Sequence, residues 1–327
     1  MLRIGVYQYE HTAALFDGTV TIPGQRARFE TEPIVSNIFR RMVQGEFDIA
    51  ELGLTYFLRT FELDDPPFIA LPIFPNRNFR HSAIYVHTAS GIRKPADLAD
   101  RRIGEFALFG HDAGAWAKGI LADEFGVTQD RSNWVIGGVN QPFPSLDWIP
   151  QPIPDGIDVR HAGAGQTLGA MLGTGDIDAL VSVDVPDTLL AGSPRVRRLF
   201  PDYRTVEQDY YRRTGIFPMM HVIAVRKELA GRPELLRAVY QAFTDAKDII
   251  ANRYREGALK QHMAVMTPWF SDLFAENRRL LGEDWWPYGF AANRDAVDTF
   301  LRYHHEQGLS KRQWQSGDIF APALLDT

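Results

Sequence analysis

Apolar and polar positions alternate from the start of the chain, with Leu2, Ile4 and Val6 set against Arg3, Gly5 and Tyr7, a period that predicts a strand over Leu2–Tyr9. Further strands are expected at Val20–Ile22 and Ala27–Glu30. Ser36 then reads as a helix N-cap, Ile38, Phe39, Met42 and Val43 as a helical stripe, and Gly45 as its stop. A strand over Asp48–Leu52 and a helix from Leu54 to Phe61 follow. The apolar run Phe68–Pro75 is a strand that its prolines end. The densest polar cluster of the chain, Asn76–Ser82, leads into the alternating run Ala83–Val86.

The second half repeats this grammar. A short helix at Lys94–Leu98 precedes a strand at Arg102–Glu105. Asp112 is placed to cap a helix striped by Trp116, Ile120, Leu121 and Phe125, which Gly126 closes. The Pro-, Gly- and Trp-rich stretch 137–158 shows no helical period and reads as one long ordered loop, a cleft rim. A helix at Thr167–Leu172 is followed by Gly175-Asp176-Ile177-Asp178 and a strand ending on Ser182. The same unit stands in the first half as Gly45-Glu46-Phe47-Asp48 with a strand ending on Glu51. After Gly215 the run Met219–Val225 alternates again. The remainder is helical, with Pro233 opening a helix striped by Leu236, Val239, Tyr240, Phe243, Ala246 and Ile250, then helices at about 269–281 and 294–307.

Two like units, each sending a strand to a polar tip, predict two α/β lobes that face one another. In open α/β sheets ligands sit beyond the carboxyl ends of the strands, so Glu51 and Ser182, with Asp184 nearby, are expected to line a shared cleft. That is the plan of a two-lobe, type II periplasmic-binding-protein-like fold. Taking Ala83–Val86 and Met219–Val225 as the strands that cross between lobes gives lobe one as residues 1–84 plus 222–327 and lobe two as 85–221. The helical tail is expected to pack on lobe one.

Length and composition change the picture only at the margins. The 327 residues suit two domains, and 45% hydrophobic with 23% charged residues is ordinary for a globular chain. A net charge of −6 argues against a nucleic-acid partner. The one dense basic run, Arg195-Val196-Arg197-Arg198, reads as a solvated helix face. Without cysteine there is neither disulfide nor thiolate chemistry. No signal-peptide pattern precedes the first strand, so a cytoplasmic protein is expected, and no apolar run approaches the ~20 residues of a membrane span.

Candidate chemistry concentrates where the crossings are expected. His81 and His221 stand at the two crossing strands, where imidazoles can move protons near neutral pH. The alternative for each is a hydrogen bond to a buried carbonyl. Arg77 and Arg80, with Ser82 beside them, bring two guanidinium forks suited to a carboxylate; the alternative is an ion pair across the lobes. Glu51 is a candidate acceptor or base, or else a partner for one of those arginines. His111 stands with Asp112 at a helix start. No zinc-ligand pair, dinucleotide or phosphate loop, or nucleophile elbow is present, so neither metal nor cofactor is expected.

The run Phe74-Pro75-Asn76-Arg77-Asn78-Phe79-Arg80-His81-Ser82-Ala83-Ile84-Tyr85-Val86 resembles its counterpart in the 4,5-dihydroxyphthalate decarboxylases. Arg197–Tyr203, Thr214–Pro218, Trp286–Gly289 with Asn293-Arg294, Phe300–Tyr303 and Glu306–Leu309 are similar as well. The likeness spans nearly the whole chain. It implies a metal-independent cytoplasmic carboxy-lyase that takes 4,5-dihydroxyphthalate to protocatechuate and carbon dioxide. A small aromatic carboxylate is then the expected partner, with no membrane partner and a homo-oligomer left open. For that chemistry His81 is expected as proton donor, Arg77 and Arg80 as carboxylate clamp, and Glu51 or His221 as partner of the catechol. Glu105–Asp112 and the rim from Asn140 to Pro154 match the family less well. The competing expectation is therefore a receptor that binds a small carboxylate without reacting.

Overall fold

The two glycine-acid-X-aspartate units do the same structural work. Gly45 and Gly175 both take the left-handed conformation, at φ 82° and 86°, and end the helices before them. The aspartate that follows pins a neighbouring strand: Asp48 Oδ2 accepts the N–H of Arg3 at 2.8 Å, and Asp178 Oδ2 that of Arg102 at 3.0 Å. The main chain reciprocates, with Asp48 N–H donating to Arg3 O and Asp178 N–H to Arg102 O. Each unit thus fixes the register of one parallel strand pair.

The computed structural model describes residues 1–143, 146–260 and 265–327. Its strands, labelled in chain order, are β1 (Leu2–Gly5), β2 (Ala27–Glu30), β3 (Ile49–Gly53), β4 (Phe68–Leu71), β5 (Ile84–His87), β6 (Arg102–Phe106), β7 (Asn133–Gly137), β8 (Asp158–His161), β9 (Ala179–Val181), β10 (Val196–Arg198) and β11 (His221–Arg226). They form two mixed sheets, ordered β2-β1-β3-β11-β4 and β10-β5-β9-β6-β7-β8. In each, the strand entered after a passage between sheets runs antiparallel to its neighbours: β11 against β3 and β4, β5 against β9 and β10. Among the described residues no helix is long and apolar enough to cross a membrane.

The passages themselves lie outside the strands expected to make them, since β5 belongs wholly to the second sheet and β11 to the first. They run side by side, antiparallel. Arg77 bridges Met219, Asn78 N–H donates to Pro218 O, and Met220 N–H donates to Asn76 O.

The C-terminal tail reaches further than its expected place on the first sheet. Phe320 lies beside Ala70 at the edge of that sheet, and Ala321 N–H donates to Ala70 O. The Arg294–Glu306 helix, however, packs on the Asp112–Phe125 helix of the second sheet. Trp116 meets Phe300 and Tyr303, Gln307 donates to Ala115 O at 2.7 Å, and Arg302 pairs with Asp123 at 2.6 Å. Gly119 makes this approach possible, because a Cβ there would stand 2.1 Å from the Tyr303 ring.

Other differences have local causes. Val20–Ile22 forms no strand, and β1 stops at Gly5, because the chain turns through Tyr9 into a short helical stretch. Arg195–Arg198 is not a helix face: Val196–Arg198 is the edge strand β10, and Arg198 lies over Tyr85 and Tyr203. The expected rim lies between β7 and β8, with Pro144 and Ser145 outside the described residues.

Placing a side chain on Gly175 forces an L-residue into the left-handed region, at about 1–2 kcal/mol. Gly175→Ala is therefore expected to lower the urea midpoint of unfolding. An unchanged midpoint contradicts the role given to this turn.

Candidate active site

Glu51 has no exposed surface, so both its oxygens must be satisfied by protein. It lies on β3, the strand between β1 and β11, and it draws donors from both sides. Oε2 accepts the Tyr7 N–H at 2.9 Å, while Oε1 accepts the Tyr9 hydroxyl and His221 Nδ1, each at 2.6 Å. The sheet register explains the histidine. Glu51 pairs with Ile223 and Gly53 with His221, so Glu51 and His221 are diagonal neighbours on one face.

A carboxylate only accepts, so Nδ1 of His221 carries the proton and Nε2 is its free position. The ring stands edge-on to Phe39 at 5.1 Å. Asn76 donates to the Tyr9 oxygen at 3.4 Å, and burial together with Glu51 pushes the Tyr9 phenol far above its usual range. Tyr9 is thus a neutral donor.

The opposite wall comes from the second sheet. His111 caps the Asp112–Phe125 helix: its Nδ1 accepts the Ala113 N–H at 3.3 Å, which leaves the proton on Nε2. Burial lowers its pKa to about 3, helped by the Arg80 and Arg59 cations, so His111 is a neutral hydrogen-bond donor. Asp112, expected as the cap, instead sits in the first turn with its side chain across the cleft. Oδ1 accepts the Thr55 N–H at the start of the Leu54–Arg59 helix, whereas Oδ2 is buried without a partner. Burial pushes this carboxyl up to about 6, with His221, the Thr55 N–H and Arg59 opposing.

Arg80 is 3% exposed and makes no ion pair among the described residues. Its Nε donates to Asn78 O at 3.3 Å, and among the described residues neither terminal nitrogen has a protein acceptor. Burial lowers its pKa to about 10, so it stays cationic at neutral pH, and the charges of Glu207, Tyr85 and Asp112 bear on it. An unpaired guanidinium in so dry a place is a seat for an anion.

Aromatic faces complete the cleft. Tyr56 stacks on Trp148 of the rim at 5.5 Å and 13°, and Phe106 stands edge-on to His111 at 5.2 Å. Arg59, fully buried, ties the rim down by donating to Pro150 O and Phe109 O. Behind His111, the buried pair Lys118–Glu105 at 2.7 Å holds the loop, since Glu105 also accepts the Gly110 N–H.

Several expected site residues lie elsewhere. His81 sits beneath the Tyr203–Thr214 helix, edge-on to Phe200 and against Tyr210, with Glu124 at 3.9 Å. Burial lowers its pKa to about 4, and neither ring nitrogen has a hydrogen-bond partner. Arg77 faces away from the cleft as well, its terminal nitrogens given to Phe217 O, Pro287 O and Asn293. The Ser182 hydroxyl is used in its own turn, donating to Asp184 O and accepting the Asp184 N–H, and Asp184 is exposed. Ser82 donates its N–H to Glu207 at 2.7 Å, next to Arg80. The structure therefore gathers Glu51, His221, His111 and Arg80, and separates His81, Arg77 and Ser182 from them.

Tyr9, Tyr56, Arg59 and Trp148 had not been singled out. Tyr56 and Arg59 are three apart on the helix that follows the Glu51 strand, and that i, i+3 spacing was the available signal.

No family model matches the chain. A 4,5-dihydroxyphthalate decarboxylase of Comamonas testosteroni is 35% identical over 329 residues, covering 100% of this chain and 98% of its own. A second, from Pseudomonas putida, is 32% identical over 213 residues, 64% of this chain and 81% of that protein. Among solved structures, the alkanesulfonate-binding protein SsuA of Xanthomonas axonopodis pv. citri matches with a TM-score of 0.52 at 15% identity, covering 98% of this chain and 96% of that one. The periplasmic aliphatic sulphonate binding protein SsuA of Escherichia coli matches at 0.54 and 12% identity, over 100% and 99%. These likenesses establish the two-lobe periplasmic-binding-protein-like fold.

Because the folded state raises the Asp112 pKa above its unfolded value, the native protein binds more protons than the unfolded chain between about pH 4 and 6. Stability carried by this group is present below that window and lost as pH rises through it. Asp112→Asn keeps an acceptor for Thr55 and removes the titration. It is expected to melt above wild type at pH 8, an advantage that shrinks at pH 4; a constant difference across that range contradicts the assignment.

Proposed function

We propose that this chain, which belongs to the 4,5-dihydroxyphthalate decarboxylase family, converts 4,5-dihydroxyphthalate to protocatechuate and carbon dioxide in the cleft around Glu51 and His221. What supports this placement is the hydrogen-bonded Glu51–His221 pair, which puts the imidazole proton on Nδ1, together with the buried Arg80 cation whose charge bears on His111.

His221, oriented by Glu51, takes the proton of the catechol hydroxyl para to the departing carboxylate. The oxygen's electrons then enter the ring, and the carbon bearing that carboxylate takes up a proton. Its bond to the carboxylate breaks, the electron pair restores the aromatic ring, and carbon dioxide leaves. The catechol oxygen recovers its proton from His221. One proton is consumed overall.

Arg80 grips the carboxylate that stays. The departing one becomes a neutral molecule, so a cation on it would stabilise the substrate more than the transition state. An aromatic wall such as Tyr56, Trp148 and Phe106 suits it better. Neutral His111 serves as an uncharged donor to the substrate's oxygens. Closure of a lobe of residues 1–84 and 222–327 on one of residues 85–221 belongs to the same proposal, because it would exclude water from the charged groups.

The competing reading, a receptor for a small carboxylate, draws on the same Arg80 seat and on the fold it shares with sulfonate-binding proteins. Purified protein incubated with 4,5-dihydroxyphthalate and a metal chelator separates the two. Release of carbon dioxide with protocatechuate is expected, whereas a rise in melting temperature without turnover would favour the receptor.

His221→Ala is expected to cost roughly 10²–10⁴ in turnover, the usual worth of a positioned acid or base. Arg80→Ala is expected chiefly to raise KM. His81→Ala is expected to keep turnover near wild type, so a large loss there would return the chemistry to the other side of the loop.

A further inference from the structure

With His81 under the Tyr203–Thr214 helix, the group that gives the ring carbon its proton has to be found elsewhere. It cannot be His221. In the mechanism above that imidazole is engaged at the catechol edge, across the ring from the carbon that is protonated. His111 is a poor acid, because its neutral form is the one the site holds. Arg80 and Arg59 do not release protons at neutral pH.

We infer that Asp112 is the proton donor, acting through Oδ2. The geometry sets that oxygen apart. Oδ1 is held by the Thr55 N–H, so the acid proton belongs on Oδ2, which is buried and free of any other partner. Oδ2 lies against the corner where β3 turns into the Leu54–Arg59 helix: a Cβ added to Gly53 would stand 2.3 Å from it and 2.7 Å from the Tyr56 ring. Gly53 is the cross-strand partner of His221. The carboxyl therefore reaches from the second sheet to the wall that carries the Glu51–His221 pair, two residues along β3 from Glu51.

The groups around it favour a carboxylic acid that is loaded yet able to give up its proton. Burial favours the acid form, pushing the pKa to about 6, so that a fraction of the carboxyl carries its proton at neutral pH. Arg59 and Arg80 face it with positive charge, His221 joins them once it holds the catechol proton, and Tyr56 and His111 face it neutral. Those cations stabilise the carboxylate left after transfer. In the step itself the O–H bond of Asp112 breaks as a C–H bond forms at the carbon bearing the departing carboxylate. The carbon–carbon bond then breaks, its electrons return to the ring, and Asp112 is reprotonated from water when the cleft opens.

This inference rests on the decarboxylase reading, and its test is chosen so that the two fail separately. The wild-type enzyme incubated with protocatechuate in heavy water should exchange deuterium into the ring position ortho to the carboxylate and para to a hydroxyl, where the reaction delivers its proton. Asp112→Asn should still bind protocatechuate by calorimetry while losing roughly 10²–10⁴ in both exchange and turnover. Gly53→Ala, which displaces Oδ2 without changing any charge, should lose exchange in the same direction.

Exchange at the wild-type rate in Asp112→Asn overturns the assignment. So does loss of protocatechuate binding in that variant, which would make Asp112 a binding group instead. A wild-type protein that neither decarboxylates nor exchanges defeats the functional reading itself.

Discussion

A fully buried carboxylate has to be met by donors on every side, and Glu51 is met only because β3 runs between β1 and β11. The continuation of β1 supplies the Tyr7 N–H and the Tyr9 hydroxyl, and β11 supplies His221. Were the strand order different, Glu51 would be stranded at a cost of several kcal/mol. The arrangement fixes the imidazole tautomer, with the proton on Nδ1. It also couples the site to the passage between sheets, because His221 follows directly on Met220, whose N–H is bonded to Asn76 O.

Electrostatics on the facing wall complement this pair. Arg80, Arg59 and Lys118 bring positive charge into a dry region, and among the described residues only Lys118 has an ionic partner, Glu105. Such a surplus prefers an anionic ligand, and it adds to the burial that keeps His111 neutral. The tail contributes at a distance. By packing Phe300 and Tyr303 on Trp116, it steadies the helix that His111 caps and Asp112 opens. Trp116 in turn donates to Met219 O, two residues before His221. One connected set of contacts thus supports both walls of the cleft.

Much of the architecture was legible because it obeys local rules. The two Gly-acid-X-Asp units announced themselves through their left-handed glycines, but Glu51 lies in the middle of β3 rather than at its end, and Ser182 is spent in its own turn. The long helices followed from their stripes. What the residues alone did not reveal was direction. Arg77, Arg80 and His81 share one short loop, yet within four residues the backbone turns through the passage into a helical turn. Their side chains leave toward the tail, the cleft and the Tyr203–Thr214 helix respectively. Composition cannot tell these apart. Asp112 was read as a cap since aspartate at a helix start is usually one, but His111 had taken that bond and freed the carboxyl to cross the cleft. Arg195–Arg198 misled for a related reason. Its charges suggested solvent, whereas Arg198 is spent on Tyr85, Tyr203 and the Ser82 carbonyl.

A crystal structure with protocatechuate bound would show whether the ring is held between the Glu51–His221 pair and Arg80. A catechol oxygen is expected within hydrogen-bonding distance of His221 Nε2, with the carboxylate on the terminal nitrogens of Arg80. Product seated instead beside His81, or bound with its carboxylate on Arg77, would contradict it.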